Sequence, residues 1–513
     1  MHELSTRRTL VPLLILAAGF SVRLALAGAA PHPGIADPNH YYNLAQSLRA
    51  GRGFVIDYIW QYHHPPADVT HPIDHWMPLT AVWPAAAQRL LGDSLFAALL
   101  PSVVAGAFLP LMAFHIAGLI GAPWGLRLFA LAATAFTPEL ILNSLRTDTT
   151  IFYAWFAGGA LLALYHGAAR RPAFYALGGA LAGLAHLTRQ DGLLLLPAFV
   201  VAALVLRVRW RYALLFPAAW LLVMAPWLVR NMAVLGEPLP SGAARSMFLT
   251  TIIDQYSYAG TFSLQTYLNW GVSNILGKWA FEGAASARLM CALPGAVVAA
   301  MAVIGLGALL YRRDCERLRL LTPPLAFLGA LLGFYTFVVP FMSQGGSFKK
   351  SYMALLPFVI ALGAWAVARC LTTRAVQAAL AALTCAMLLA DGLVLVKNDF
   401  ALTAGYLADM QAVAGVLRAT GDANGDGEII VMAEDPFILN YLGFRALMTP
   451  NDDLDTTLFV AQRYGVDYLL MPTDRAALRP IFIGKRSDPR LTLAATVPGQ
   501  AIALYRVSSA PAD

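Results

Sequence analysis

The chain is predicted to be an α-helical polytopic membrane protein that ends in a small extracytoplasmic α/β domain. Three observations carry this. Of 513 residues, 58% are hydrophobic and only 13% charged, with a mean hydropathy of +0.61, whereas soluble domains carry about a quarter charged residues. Stretches of roughly 20 largely apolar residues, the length that crosses a bilayer, recur along the first three quarters. After residue 396 the pattern changes to short alternating helix-like and strand-like segments.

The apolar stretches fall at 9–29, 95–119, 123–141, 149–168, 173–188, 191–207, 212–229, 288–311, 319–340, 353–370 and 375–396, about eleven spans in all. The first resembles a signal peptide in length, but no convincing cleavage site follows it, and it reads as a retained anchor. Arg7 and Arg8 precede the first span. Arg170 and Arg171 follow the fourth, and Arg207, Arg209 and Arg211 the sixth. Arg312, Arg313, Arg317 and Arg319 follow the eighth, while Arg369 and Arg374 flank the turn between the last two. With the N-terminus inside, every group lands on the cytoplasmic side, as the positive-inside rule asks. The formal charge of +7 is therefore an orientation signal and does not point to nucleic acid. Cys291, Cys315, Cys370 and Cys385 lie in or beside apolar segments without metal-like spacing, so no disulfide framework is expected.

This orientation puts the long loop 30–94, the turns around Asp148 and Arg189, the loop 230–287, the turn 341–352 and the tail 397–513 outside. The expected domains are thus 1–396, a membrane domain with a large first external loop, and 397–513, an external α/β domain. In the tail, Leu402–Ala419 reads as helix, Glu428–Met432 as strand, Asp453–Tyr464 as amphipathic helix and Val466–Met471 as strand. Leu491–Val497 and Ala501–Val507 read as closing strands.

Chemistry-bearing residues gather on the external side. Asp37 opens Asp37-Pro38-Asn39-His40-Tyr41-Tyr42-Asn43-Leu44-Ala45, just past the first span. A carboxylate there can face water at little cost. It suits an N-cap for a helix Asn39–Leu48, and capping does not exclude catalysis. Asp148, in Leu145-Arg146-Thr147-Asp148-Thr149-Thr150, sits where the third span meets the fourth. It reads either as a cap with Arg146 as counter-ion, or as a second carboxylate that joins Asp37 as general base or acceptor-orienting group. The stretch His63–His75 holds His63, His64, His71 and His75 with Asp68 and Asp74. His71 and His75, four apart, suit one helix face and a metal, or contact with sugar or phosphate. Neither HExxH nor paired cysteines accompany them, so no metal is assigned and a divalent cation stays an open alternative. Arg189, Arg230, Lys349 and Lys350 stand outside against the positive-inside bias. Either they snorkel to lipid headgroups, or they clamp a lipid phosphate. The run from Asp422 to Glu428 resembles half a calcium loop, but Ala433 stands where the closing Glu belongs, and the run reads as a polar turn.

In this order, the pieces resemble the GT-C glycosyltransferases, in particular protein mannosyltransferases and bacterial lipid A aminoarabinose transferases. Asp37, Tyr41 and Ala45 match an Asp-x-x-x-Tyr-x-x-x-Ala opening of the first external loop. Pro138 before the Asp148 turn, Leu187-Thr188-Arg189-Gln190-Asp191-Gly192, Ala225-Pro226-Trp227-Leu228-Val229-Arg230-Asn231 and Gly236-Glu237-Pro238 also match. The resemblance implies a GT-C-like fold and an inverting transferase that takes a sugar from a polyprenyl-phosphate-linked donor. Asp37 would be the base, and one or more of Arg189, Arg230 and Lys349 would neutralise the departing lipid phosphate. Tyr42, His71, His75 and Tyr352 are further candidates for contact with substrate or lipid phosphate. The acceptor would be a lipid, a glycan or a protein, and no cofactor is required. Two departures bear on donor and acceptor identity: His63-His64-Pro65-Pro66 replaces a basic residue before a Pro-Pro pair, and Lys349-Lys350 replaces an Arg or His beside an aromatic.

Two rivals follow. An oligosaccharyltransferase would use a divalent metal, but its Trp-Trp-Asp-Tyr-Gly signature is missing from the tail. A flippase of lipid-linked sugars would place its charges near the bilayer midplane, whereas here they gather at one face. The alanine-rich, short-looped chain has a bacterial character, so the expected compartment is the cytoplasmic membrane with the site facing the periplasm.

Overall fold

A computed structural model describes residues 2–169, 171–239, 245–340, 346–425 and 427–508. Arg170, the segment 341–345 of the expected turn 341–352, and Asp426 of the calcium-like run lie outside the described residues. The chain separates into two compact units. The first comprises Met1–Pro33, Trp76–Pro238 and Leu276–Asp399; the second comprises Gly34–His75, Leu239–Ile275 and Phe400–Asp513. The boundary expected near 396 thus falls inside one continuous helix, Arg374–Thr420.

The first unit is helical. Among the described residues of the chain, seven helices are long and apolar enough to cross a membrane: Leu10–Ala27, Leu95–Leu119, Thr150–Ala168, Trp210–Leu235, Cys315–Val338, Ser347–Cys370 and Arg374–Thr420. Two bent pairs raise the number to as many as 9. They are Trp124–Phe136 with Pro138–Ser144, bent by 51°, and Val272–Ala292 with Ala296–Tyr311, bent by 101°. Ala173–Thr188 and Gln190–Val205 are shorter apolar helices. Each apolar stretch expected from the sequence falls on one of these elements, except that 288–311, expected as one span, straddles the 101° bend between Val272–Ala292 and Ala296–Tyr311. The helices meet through small residues, as they must where lipid removes the usual hydrophobic drive between them. A Cβ on Gly179 would lie 2.1 Å from the Phe216 carbonyl oxygen, and one on Gly363 would lie 3.0 Å from that of Val298.

The second unit is built on a six-stranded sheet of order β2-β5-β4-β6-β8-β7. Its strands are β2 (Tyr58–Ile59), β4 (Ile430–Ala433), β5 (Arg445–Met448), β6 (Tyr468–Met471), β7 (Leu491–Thr496) and β8 (Ala503–Val507). Strands β2, β5, β4 and β6 run parallel, whereas β8 and β7 join antiparallel. Helices Pro436–Tyr441 and Leu454–Arg463 make the crossovers that parallel neighbours need. Strand β2 comes from the loop 30–94 and pairs Tyr58 with Ala446 and Ile59 with Leu447. The loop is tied further by Asn43 Nδ2, which donates to the Phe437 carbonyl at 2.9 Å, and by the Tyr464 hydroxyl, which donates to the Pro66 carbonyl at 2.8 Å. Tyr62 donates to the Met448 carbonyl.

Two local expectations are corrected. Asp37 does not cap its helix from outside; the helix runs Asp37–Arg49, and the cap position is Ala36, at φ 60° and ψ −116°. Pro38 explains the early start, because its fixed φ is suited to the first turn and its missing N–H would have no helical partner there. His71 and His75 do not share a helix face: His71 lies in β3 (His71–Pro72), paired antiparallel with β1 (Val55–Ile56), and His75 lies beyond it.

Candidate functional site

In the second unit, Asp37 is half-buried at the first position of its helix. The i, i+3, i+4 spacing puts His40 and Tyr41 on its face. His40 is fully buried, with Nδ1 2.5 Å from the Tyr58 hydroxyl. Burial pushes His40 down to about 3; the Asp37 charge opposes the shift, and His75 and His71 add to it. Burial likewise lowers His75 to about 4, with His63 in support and Asp37 opposed. The His75 ring stands edge-on to Trp60 at 4.8 Å. Tyr58 is raised by burial and by the charges of Asp435, Asp57 and Asp37. Asp37 therefore shares one electrostatic neighbourhood with two neutral histidines and a protonated tyrosine. His71 Nδ1 lies 3.0 Å from the Val69 carbonyl, and Tyr42 packs on Tyr441 with ring centroids 5.5 Å apart. Among the described residues no group of three or more His, Cys, Asp or Glu has the arrangement to hold a metal ion. Asp68, one member of the suggested set, is bound instead by Arg445.

In the first unit, Lys350, Asp148, Thr149, Arg189 and Asp191 form a connected network, and Lys349 pairs separately with Glu139. Lys349 Nζ meets Glu139 Oε1 at 2.9 Å, and Lys350 Nζ meets Asp148 Oδ2 at 2.7 Å. The other Asp148 oxygen accepts the Thr149 N–H at 2.5 Å and its hydroxyl at 2.9 Å. Thr149 Oγ1 accepts in turn from Arg189 Nη1 at 3.0 Å. Arg189 Nε and Nη2 both donate to Asp191 Oδ2, at 3.0 and 2.7 Å. Asp191 also receives the Tyr335 hydroxyl at 2.6 Å and the Ser351 hydroxyl at 2.5 Å. Burial would raise the Asp148 carboxyl, but Lys350, then Arg189 and Thr149, hold it below the usual carboxylate range. Burial would weaken the Arg189 cation, and Asp191 reverses that effect.

One expected pairing changes with these contacts, and two further candidates take their places. Arg146 is not the Asp148 counter-ion; it pairs with Asp399, and Lys350 takes its place. Tyr352 does not join the charged network. It is buried, stacked on Phe348 at 5.8 Å, with its hydroxyl 3.5 Å from the Met290 carbonyl. Arg230 lies over the Trp227 ring at 4.7 Å and donates to Asn231 Oδ1 at 2.9 Å. His40, Tyr58, Asp191, Ser351 and Tyr335 were not singled out by sequence. Only Asp191 and Ser351 carried a signal there, as neighbours of Arg189 and Lys350.

Long apolar helices, a small mixed sheet and charged residues where helices end describe a polytopic membrane protein, and its likeness to solved structures gives it the GT-C fold. Solved structures make the comparison specific. The oligosaccharyltransferase of Archaeoglobus fulgidus, in complex with Zn and sulfate, is similar with a TM-score of 0.55 at 14% identity, over 89% of this chain and 67% of that one. ArnT from Cupriavidus metallidurans in the apo state is similar over 97% of this chain and 98% of that one, with a TM-score of 0.55 and 14% identity. The same ArnT bound to undecaprenyl phosphate gives a TM-score of 0.51 at 17% identity, over 98% and 99% of the two chains. No family model matches the chain, and no curated protein matches it in sequence.

Proposed function

We propose that the protein is an integral membrane glycosyltransferase that moves a sugar from a polyprenyl-phosphate carrier to an extracytoplasmic acceptor, with inversion at the anomeric carbon. The observation that carries this is the row of cations Lys349, Lys350 and Arg189, each held in place by a carboxylate before any substrate arrives. Donors fixed in advance where negative charge develops are the usual means of stabilising a departing anion. Lys349, the most exposed of the three at 29% of its side chain, is the one to meet a phosphate directly. Arg189 and Lys350 set the field behind it. Arg230 is a further candidate for phosphate contact, and Tyr42, His71 and His75 for substrate contact.

As the acceptor hydroxyl attacks, its oxygen bonds to the anomeric carbon while the carbon–phosphate oxygen bond breaks. The electron pair leaves on the lipid phosphate and the hydroxyl proton passes to Asp37. If the acceptor is itself a phosphate, Asp37 orients it instead. The ArnT structure with undecaprenyl phosphate and the archaeal oligosaccharyltransferase with dolichol-phosphate support a lipid-phosphate ligand. One solved neighbour carries Zn, but the carboxylates and histidines described above do not converge as a ligand set, so no step is assigned to a metal. The positive-inside pattern supports a site facing the periplasm of a bacterial inner membrane.

The test is sugar transfer by purified protein in detergent, with radiolabelled polyprenyl-phosphate sugars as donors and membrane extract as acceptor. Asp37→Asn should lose about 10²–10⁴-fold in rate with its unfolding temperature unchanged. Lys349→Met should mainly raise the donor KM. Chelator sensitivity decides the metal: a rate that chelator abolishes would assign one to the reaction. Labelled lipid that crosses proteoliposomes without being consumed would replace this reading with that of a flippase.

A further inference from the structure

Arg23 lies four residues before the end of the helix His2–Ala27 and is 0% exposed. Among the described residues no carboxylate touches it. Nε donates to Ser144 Oγ at 3.1 Å, Nη1 donates to the carbonyls of Gly19 at 3.1 Å and Ala135 at 2.9 Å, and Nη2 has no hydrogen-bond partner. An arginine buried in an apolar span without a counter-ion is costly and calls for a specific role.

The break beside it supplies one. Trp124–Phe136 and Pro138–Ser144 are one apolar run bent by 51°. Pro138 has no N–H and cannot bond back to the Thr134 carbonyl, so the last carbonyls before the break need other donors. The Thr137 hydroxyl serves the Ala133 carbonyl at 2.8 Å, and Arg23 serves that of Ala135. Through Nε the same guanidinium holds Ser144, whose hydroxyl donates to the Leu140 carbonyl at 2.6 Å. Gly106 makes room for this contact, since a Cβ there would lie 2.0 Å from Ser144 Oγ. One rigid fork therefore grips the final turn on each side of the break, which a lysine ammonium could not do in the same geometry. The short helix between carries Glu139, the partner of Lys349, and leads within four residues to Asp148, the partner of Lys350.

We infer that Arg23 is a positioning residue, a clamp across the break that sets where Glu139 and Asp148 hold the two lysines. The inference rests on the proposed function only for its activity readout. In the full-length protein, hydrogen exchange across 138–150 should quicken at least about threefold in both Arg23→Lys and Arg23→Gln, with 356–370 unchanged. In sugar transfer, Arg23→Gln should raise the donor KM about tenfold and leave the acceptor KM alone. The same substitution should add less than about threefold in a Glu139→Gln background, because residues that act as a unit are not additive. Exchange across 138–150 equal to wild type overturns the inference. So does an Arg23→Lys variant indistinguishable from wild type, or a donor KM effect of equal size in both backgrounds. If the wild type transfers no sugar, the functional reading fails and exchange alone decides the clamp.

Discussion

Replacing Lys350 by methionine removes the ammonium that faces a buried carboxylate. Asp148 is 1% exposed. Its Oδ1 is served by the Thr149 N–H and by the Thr149 and Thr150 hydroxyls at 2.5, 2.9 and 3.4 Å, while Oδ2 faces Lys350 Nζ at 2.7 Å. Without the ammonium, burial prevails and the carboxylate is left charged without its partner or must take up a proton. Breaking a buried pair from one side costs about 3–5 kcal/mol. At about 2 °C per kcal/mol for large domains, the unfolding temperature should fall by about 6–10 °C. The double variant Asp148→Asn/Lys350→Met should recover to within about 1 kcal/mol of wild type, because neither charge is then buried alone. Lys349→Met, in the more exposed pair with Glu139, should cost no more than about 1 kcal/mol. The assay is thermal unfolding by intrinsic fluorescence in detergent for the four proteins. Because Asp148 is held low when folded, its pair stabilises above the ordinary carboxylate range, and that contribution fades as pH falls below it. A Lys350→Met variant within about 2 °C of wild type, or a double variant no better than Lys350→Met, would refute the reasoning.

Three further outcomes are expected. Ala36 holds φ 60° at ψ −116°, a conformation that costs an L-residue about 1–3 kcal/mol against about 0.5–1 kcal/mol for the added freedom of glycine when unfolded. Ala36→Gly should therefore raise the unfolding temperature and Ala36→Val lower it; the opposite order removes the strain argument. His40 and His75 are held down at about 3 and about 4, chiefly by burial, whereas in the unfolded chain they take protons below about 6.5. Unfolding then takes up protons, so stability should fall between about pH 6.5 and pH 4 by about 1.4 kcal/mol per pH unit for each histidine. His40→Gln should flatten that slope, and an unaltered slope from unfolding at pH 7, 6 and 5 counts against it. Asn43→Ala removes the 2.9 Å bond from Nδ2 to the Phe437 carbonyl and should cost about 0.5–1.5 kcal/mol, read from denaturant unfolding; an unchanged midpoint would show the tie to be dispensable.

The sequence by itself determined the elements whose cause is local. Each apolar span was legible because bilayer thickness sets its length and lipid contact sets its composition, and both are written in about 20 consecutive residues. The helix after Asp37 was legible over Asn39–Leu48, though its start at Asp37 was not, and β4, β6, β7 and β8 were legible from short apolar runs between turns. Tertiary structure alone decided the pairings. Asp148 meets Lys350 rather than its neighbour Arg146, because ion partners are chosen by proximity in space and the charges alone permit either. Strand β2, two residues long, carries too little pattern to be read, and exists only because β5 offers it an edge. His71 and His75 matched a helix by spacing, yet His71 is drawn into a strand by pairing with Ile56. Tyr352 follows two lysines in sequence but turns into the helix core, where its ring stacks on Phe348. Arg23 looks in sequence like one polar interruption of an apolar run. Only the bend at Pro138, which frees carbonyls that need a donor, gives its charge a place.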